Sequence, residues 1–115
     1  MRLIERKMIA AIHEHKDWKC DNTRVICTQF VHSNEIIDRV SVILHGSTIA
    51  VITPTEVQMS DCGWQTPTTK SRLSAILHEF CDAGIYQKKH KWYLTTEVGK
   101  DQEVQRNSNH FICRK

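Results

Sequence analysis

"GWQTPTTKSRLSAILHEFCDAG", Gly63–Gly84, is the stretch on which the fold turns. From Thr69 onward, Leu73, Ile76, Leu77, Phe80 and Cys81 recur at i, i+3, i+4, i+7 and i+8, the apolar stripe of a helix with one face in a core. Thr68 or Thr69 is placed to cap its free amides, Pro67 holds Thr66 extended, and Gly84 supplies a stop. The expected helix therefore starts with hydroxyls and two cations, Lys70 and Arg72. Acidic residues are the ones favoured in a first turn, by about 0.3–1 kcal/mol.

The segments on either side read differently. Upstream, residues 2–16 carry Ile4, Met8, Ala11 and Ile12 on one helical face, with no Gly or Pro. "KDWKCDNT" (Lys16–Thr23) reads as a polar loop anchored by Trp18. "TRVICTQFV" and "IIDRVSVIL" are rich in β-branched residues. In the second, Ile36, Val40, Val42 and Leu44 share a face on which Asp38 is the polar exception. "HGST" (His45–Thr48) suits the turn of a hairpin returning through "IAVI", and "VQMS" is a short further strand beyond Pro54. Downstream, "IYQK" and "WYLTT" flank "KHK" as a hairpin with a basic tip. The order α, several β, α, ββ predicts an α+β domain: an antiparallel sheet with an N-terminal helix and a second helix before a C-terminal hairpin. One domain over residues 1–97 is expected, followed by a polar tail over 98–115 in which "HFIC" is a candidate last strand.

The whole chain has 115 residues, 40% hydrophobic and 25% charged, the composition of one ordinary globular domain. It has no apolar run near the ~20 residues that span a bilayer, and its charged opening is not that of a signal peptide. Five cysteines, an odd number without a C-x-x-C, read as free thiols of a reducing compartment. Net charge is +3 overall, but −3 over residues 25–67 and +3 over residues 68–91. Cationic groups thus gather around the quoted helix and the hairpin after it, which suits an anionic partner without requiring one.

Four blocks, "MIAAIHEHKDWKCDNTRV", "LHGSTIAVI", "CGWQTPTTKSRLSAIL" and "GIYQKKHKWYL", together resemble a family of short bacteriophage proteins. Its pattern runs N-W-x(n)-N-T-x-V, H-G-N-x-I-A, T-x-T-T-K-x-R-L-N-A and Q-K-x(n)-W-Y. The likeness covers residues 8–94, and the third block is its most specific part. Ser47 and Ser74 stand where the pattern has Asn. The resemblance implies a phage-encoded protein of the infected bacterial cytoplasm, and it brings no reaction with it. Small phage proteins commonly modify or block host machinery, defence systems included.

Thr68, Thr69, Lys70 and Arg72 are candidate contacts for phosphate at a helix N-terminus, the alternative being a capped helix with solvated charges. Lys88, Lys89 and Lys91, beside Tyr86, Trp92 and Tyr93, suit nucleic acid through phosphate contact and stacking. Lysines also guard hairpin edges against aggregation. Trp64 is a candidate anchor for a protein partner, or packs over the helix that follows it. The seven histidines match no zinc-ligand spacing, and His13 and His15 point about 200° apart on a helix. There is no H-E-x-x-H, G-x-S-x-G, P-loop or G-x-G-x-x-G. The sequence expectation is a non-catalytic binding protein without cofactor or metal. Its partner is a host or defence protein, or alternatively nucleic acid held by the basic helix start and hairpin tip. No membrane role is expected.

Overall fold

The computed structural model describes residues 2–95, 102–104 and 111–114. Helix α1 spans Leu3–Glu14 and buries Glu5, Met8, Ile9, Ala11 and Ile12. It ends at His15 in the left-handed region, φ 53°. The chain then pairs at once: β1 (Trp18–Cys20) runs antiparallel to β2 (Thr23–His32). The expected Lys16–Thr23 loop is thus a short strand and a turn, with Trp18 packed against the core.

β2 continues into β3 (Glu35–Leu44) through Ser33 and Asn34, φ 51° and 66°. Two positive φ values suit the right-handed twist of the strands they join. β4 (Ser47–Ile52) and β5 (Glu56–Met59) extend the sheet, and β9 (Phe111–Arg114) pairs with β5 to close the order β1-β2-β3-β4-β5-β9. The β3–β4 register jumps from Val42↔Ala50 to Ile43↔Thr48, leaving Ile49 as a bulge. A bulge re-aims a side chain, and Ile49 and its neighbour Ala50 are both buried.

Helix α2 runs Pro67–Cys81, two residues earlier at its start than the stripe alone suggests. Thr66, not Thr68 or Thr69, is its cap: its hydroxyl accepts the Thr69 amide at 3.2 Å. Pro67 occupies the first turn, where a missing N–H costs nothing. The helix stops at Asp82, φ 49°, before Gly84 is reached. Leu73, Ile76 and Leu77 are wholly buried, and Phe80 and Cys81 partly so.

β6 (Gly84–Lys88) and β7 (Lys91–Thr95) form the basic-tipped hairpin, and β8 (Gln102–Val104) pairs with β7. The architecture is α+β, with the strands divided between a six-stranded and a three-stranded antiparallel sheet. α2 touches both: it lies against β4, β5 and β9 of the first and β6 of the second. Its Ser74 hydroxyl meets the Ile85 carbonyl at 3.3 Å. Neither helix is long and apolar enough to cross a membrane.

The core face of β3 is buried at Val40, Val42 and Leu44, but Ile36 on the same face is 72% exposed. The β2–β3 hairpin outruns the helices that cover it.

Candidate functional site

Between β5 and α2 the chain makes a tight turn, Asp61–Trp64. The Trp64 amide donates to the Asp61 carbonyl at 2.8 Å, with Cys62 and Gly63 at φ 54° and 84°. The second value is one that glycine adopts without strain. The buried Asp61 carboxylate holds the turn from inside, accepting the Gly63 amide at 2.8 Å and the Gln65 amide group at 3.1 Å. Gln65 Nε2 also donates to the Val104 carbonyl at 3.0 Å, which ties the turn to β8. Cys62 Sγ donates to the Thr48 carbonyl at 3.1 Å. A turn pinned at so many points projects one side chain outward: Trp64 is 67% exposed.

Across from it lies the β3–β4 turn, His45 and Gly46 at φ 51° and 81°, with the His45 amide donating to the Asn22 carbonyl at 2.9 Å. The two turns and the first turn of α2 enclose a cavity of about 450 Å³. His45, Ser47 and the bulged Ile49 line one side, and Trp64, Thr66 and Thr68 the other. Among the described residues Asp61 is the only Asp, Glu, Lys or Arg in its wall, and both its oxygens already accept hydrogen bonds. The described residues of the wall offer an indole, hydroxyls, an imidazole and aliphatic surface, and no lysine or arginine.

Arg72 lies in the second turn of α2 and faces α1. It is 3% exposed. Its Nη1 meets Glu5 Oε2 at 2.7 Å, its Nε donates to Thr23 Oγ1 at 3.0 Å, and its Nη2 reaches Asn22 Oδ1 at 3.5 Å. Ser71 Oγ donates to the same Glu5 oxygen at 2.6 Å. Burial alone would push the Glu5 carboxyl up; the hydrogen bonds from Ser71, Arg72 and the Arg2 amide, with the guanidinium charge, outweigh it and hold the pKa below the usual carboxyl range. No buried side-chain nitrogen or oxygen among the described residues lacks a partner.

Arg72 and Thr69 as contact residues are therefore corrected. Thr69 is 3% exposed, its amide and hydroxyl both spent on Thr66. Arg72 is a structural tie between α1, α2 and the start of β2. The other candidates stay near the surface. Thr68 is half-buried in the cavity wall. Lys70 is half-buried too, and its Nζ lies 3.5 Å from Gln87 Oε1, which brings it to the side of β6. Lys88 and Lys89 are exposed at the hairpin tip, and exposed Lys91 is 3.9 Å from Glu103. Trp64 is 67% exposed and shares the cavity wall with the first turn of the helix it was a candidate to cover. His13 and His15 go to different acids, Glu79 at 2.8 Å and Asp38 at 3.4 Å.

His45, Ser47 and Thr66 were not among the sequence candidates. Their signal was present, since they belong to the second and third blocks that carry the phage resemblance, and the fold brings those two blocks to one cavity. A family model, Kyanoviridae Gp96 protein, matches residues 1–114. The chain belongs to that family. The Kyanoviridae Gp96 family is a bacteriophage one, so the resemblance holds as far as a phage protein family. No curated protein and no solved structure matches the chain.

Proposed function

We propose that this phage protein works by binding, without catalysis, and that it engages a host protein, with defence components among the candidates, through the Trp64 cavity. The observation that carries the reading is the position of Trp64, 67% exposed at a cavity of about 450 Å³. Tryptophan is enriched among the few residues that dominate interface energies, and such anchors pair with pockets. A cavity of this size accepts a large side chain. Its chemistry separates the candidate partners. Among the described residues a phosphate would meet a wall without lysine or arginine, beside a buried aspartate, at a helix start whose Thr69 amide is already capped. An apolar or aromatic side chain of a protein meets matching surface, and binding of that kind is insensitive to salt.

A second reading has one observation in its favour. Lys70 reaches Gln87, so a helix cation lies beside the strand that leads to the exposed Lys88 and Lys89 of the hairpin tip. That arrangement suits nucleic-acid backbone, and it predicts affinity falling steeply with salt.

The test is capture from infected-host lysate with tagged protein, in nuclease-treated and untreated halves. The protein-directed reading expects one stoichiometric protein that survives nuclease, is retained in high salt, and is lost in Trp64→Ala. Recovery of nucleic acid that disappears at moderate salt, and in a Lys70→Glu/Lys88→Glu/Lys89→Glu variant, would transfer the function to the second reading.

A further inference from the structure

Among the described residues the large sheet has an edge that no strand guards. β1 covers β2 only from Thr23 to Val25, and no strand among the described residues pairs with the outer side of β2 beyond that point. Direction follows from parity. The two-residue turns at both ends of β2 make Thr23 and Val25 face β1, while His32 faces β3, so odd-numbered residues point their backbone groups outward. The Cys27 amide confirms this: it is directed outward and taken by Asp17 Oδ1 at 2.8 Å. Next along the edge come the amides and carbonyls of Gln29 and Val31.

Natural sheets protect such edges with lysine, proline, bulges or short strands. Residues 26–32, "ICTQFVH", contain no Lys, Arg, Asp, Glu or Pro, and β2 pairs with β3 without a bulge along its ten residues. Val31 is 73% exposed and its cross-strand partner Ile36 is 72% exposed. On the opposite face Phe30 is half-buried beneath Arg39, whose guanidinium carbon is 4.8 Å from the ring centroid.

We propose that this edge is a dimer interface, at which β2 pairs antiparallel with β2 of a second copy, Phe30 opposite Phe30. Self-pairing fits for three reasons. In this register Gln29 of each copy opposes Val31 of the other, and all four of their outward backbone groups are satisfied within the pair. Asp17 keeps the Cys27 amide, so nothing already made is displaced. No charged side chain lies within the paired segment, so no like charges stand directly opposite each other in the register, where they would destabilise it. Phe30 meets its own copy in a non-hydrogen-bonded site, where side chains approach closest and aromatic pairs add stability. The contact is isologous, the commonest way for a chain to form a closed dimer. It would join two six-stranded sheets into one. It lies apart from the Trp64 cavity in the fold and stands or falls independently of it.

The experiment is light scattering after size exclusion over a concentration series, on the full chain and two variants. Val31→Pro removes only an outward-facing donor and leaves the β2–β3 ladder intact, as edge prolines do. Phe30→Cys places thiols at a two-fold site with Cα atoms about 4.5 Å apart, within disulfide range. The expected result is a wild-type dimer, a monomeric Val31→Pro that retains wild-type circular dichroism, and an oxidised Phe30→Cys dimer linked through position 30 by peptide mass spectrometry. A wild-type monomer at every concentration, a dimer indifferent to Val31→Pro, or a Phe30→Cys chain without the 30–30 link would each overturn the proposal.

Discussion

Arg72 and Trp64 flank one helix start, and their environments are opposite. Arg72 lies 3% exposed in a set of hydrogen bonds that ties α1, α2 and β2 together, whereas Trp64 lies 67% exposed on a turn held by Asp61. One side of α2 spends its polar groups internally. The other is rigid but open. A rigid turn that presents a large aromatic to solvent adds little to the core, and a buried charge pair offers little to a partner. The comparison teaches that a cation near a helix start can be spent inside the fold while the aromatic beside it is left to solvent.

The largest expected effect breaks the closed side. Arg72→Met leaves the Glu5 carboxylate buried without its cation, and removing one partner of a buried pair costs about 3–5 kcal/mol. Urea denaturation should show a loss of that size, or no folded protein. The double variant Glu5→Leu/Arg72→Met should recover much of it, because apolar replacement of both partners is often neutral or better. Recovery of nothing would mean that Thr23, Asn22 and Ser71 need the guanidinium for their own placement.

A pH series sharpens the same point. Glu5 has its folded pKa below the ordinary carboxyl value of 4.5. Its contribution is therefore present above that value and lost as pH falls through the lowered folded pKa. The stability difference between wild type and Glu5→Gln should be constant from pH 7 to about pH 5 and shrink on further acidification. A difference that grows towards acid pH would contradict the pairing.

Smaller effects belong to the helix start and the open side. Thr66→Ala removes the cap and should cost about 1 kcal/mol, within the usual range of such changes; the same substitution at Thr68 should cost less, which thermal melts can compare. Trp64→Ala should change stability by no more than about 0.5 kcal/mol, as exposed substitutions do. If Trp64→Ala destabilises as much as Arg72→Met, the two sides are not different in kind.

Much of the fold was legible. The α2 stripe, the β3–β4 turn and the basic hairpin follow from periodicity and turn chemistry. The placement of Arg72 did not follow from the rule that charges face water. Yet Arg72 stands four residues before Ile76 and three after Thr69, on the buried stripe, and Glu5 stands three before Met8 on its own. Each residue carried a sign of burial. Their pairing did not, since it joins the two ends of a long β-rich insertion. The division into two sheets was equally hidden, because strand signals do not say which neighbour a strand will take. The cavity arises only when the His45 turn and the Trp64 turn are folded against each other. β1 was hidden for a simpler reason: three residues around Trp18 are too few to alternate.

The most direct test of the open side places a photo-crosslinking amino acid at His45, on the cavity rim, and separately at Lys89, on the hairpin tip, in protein expressed in infected host cells. The binding account predicts a discrete protein adduct from position 45, abolished by Trp64→Ala, and none from position 89. Adducts that form only at position 89, or that survive Trp64→Ala, would contradict it.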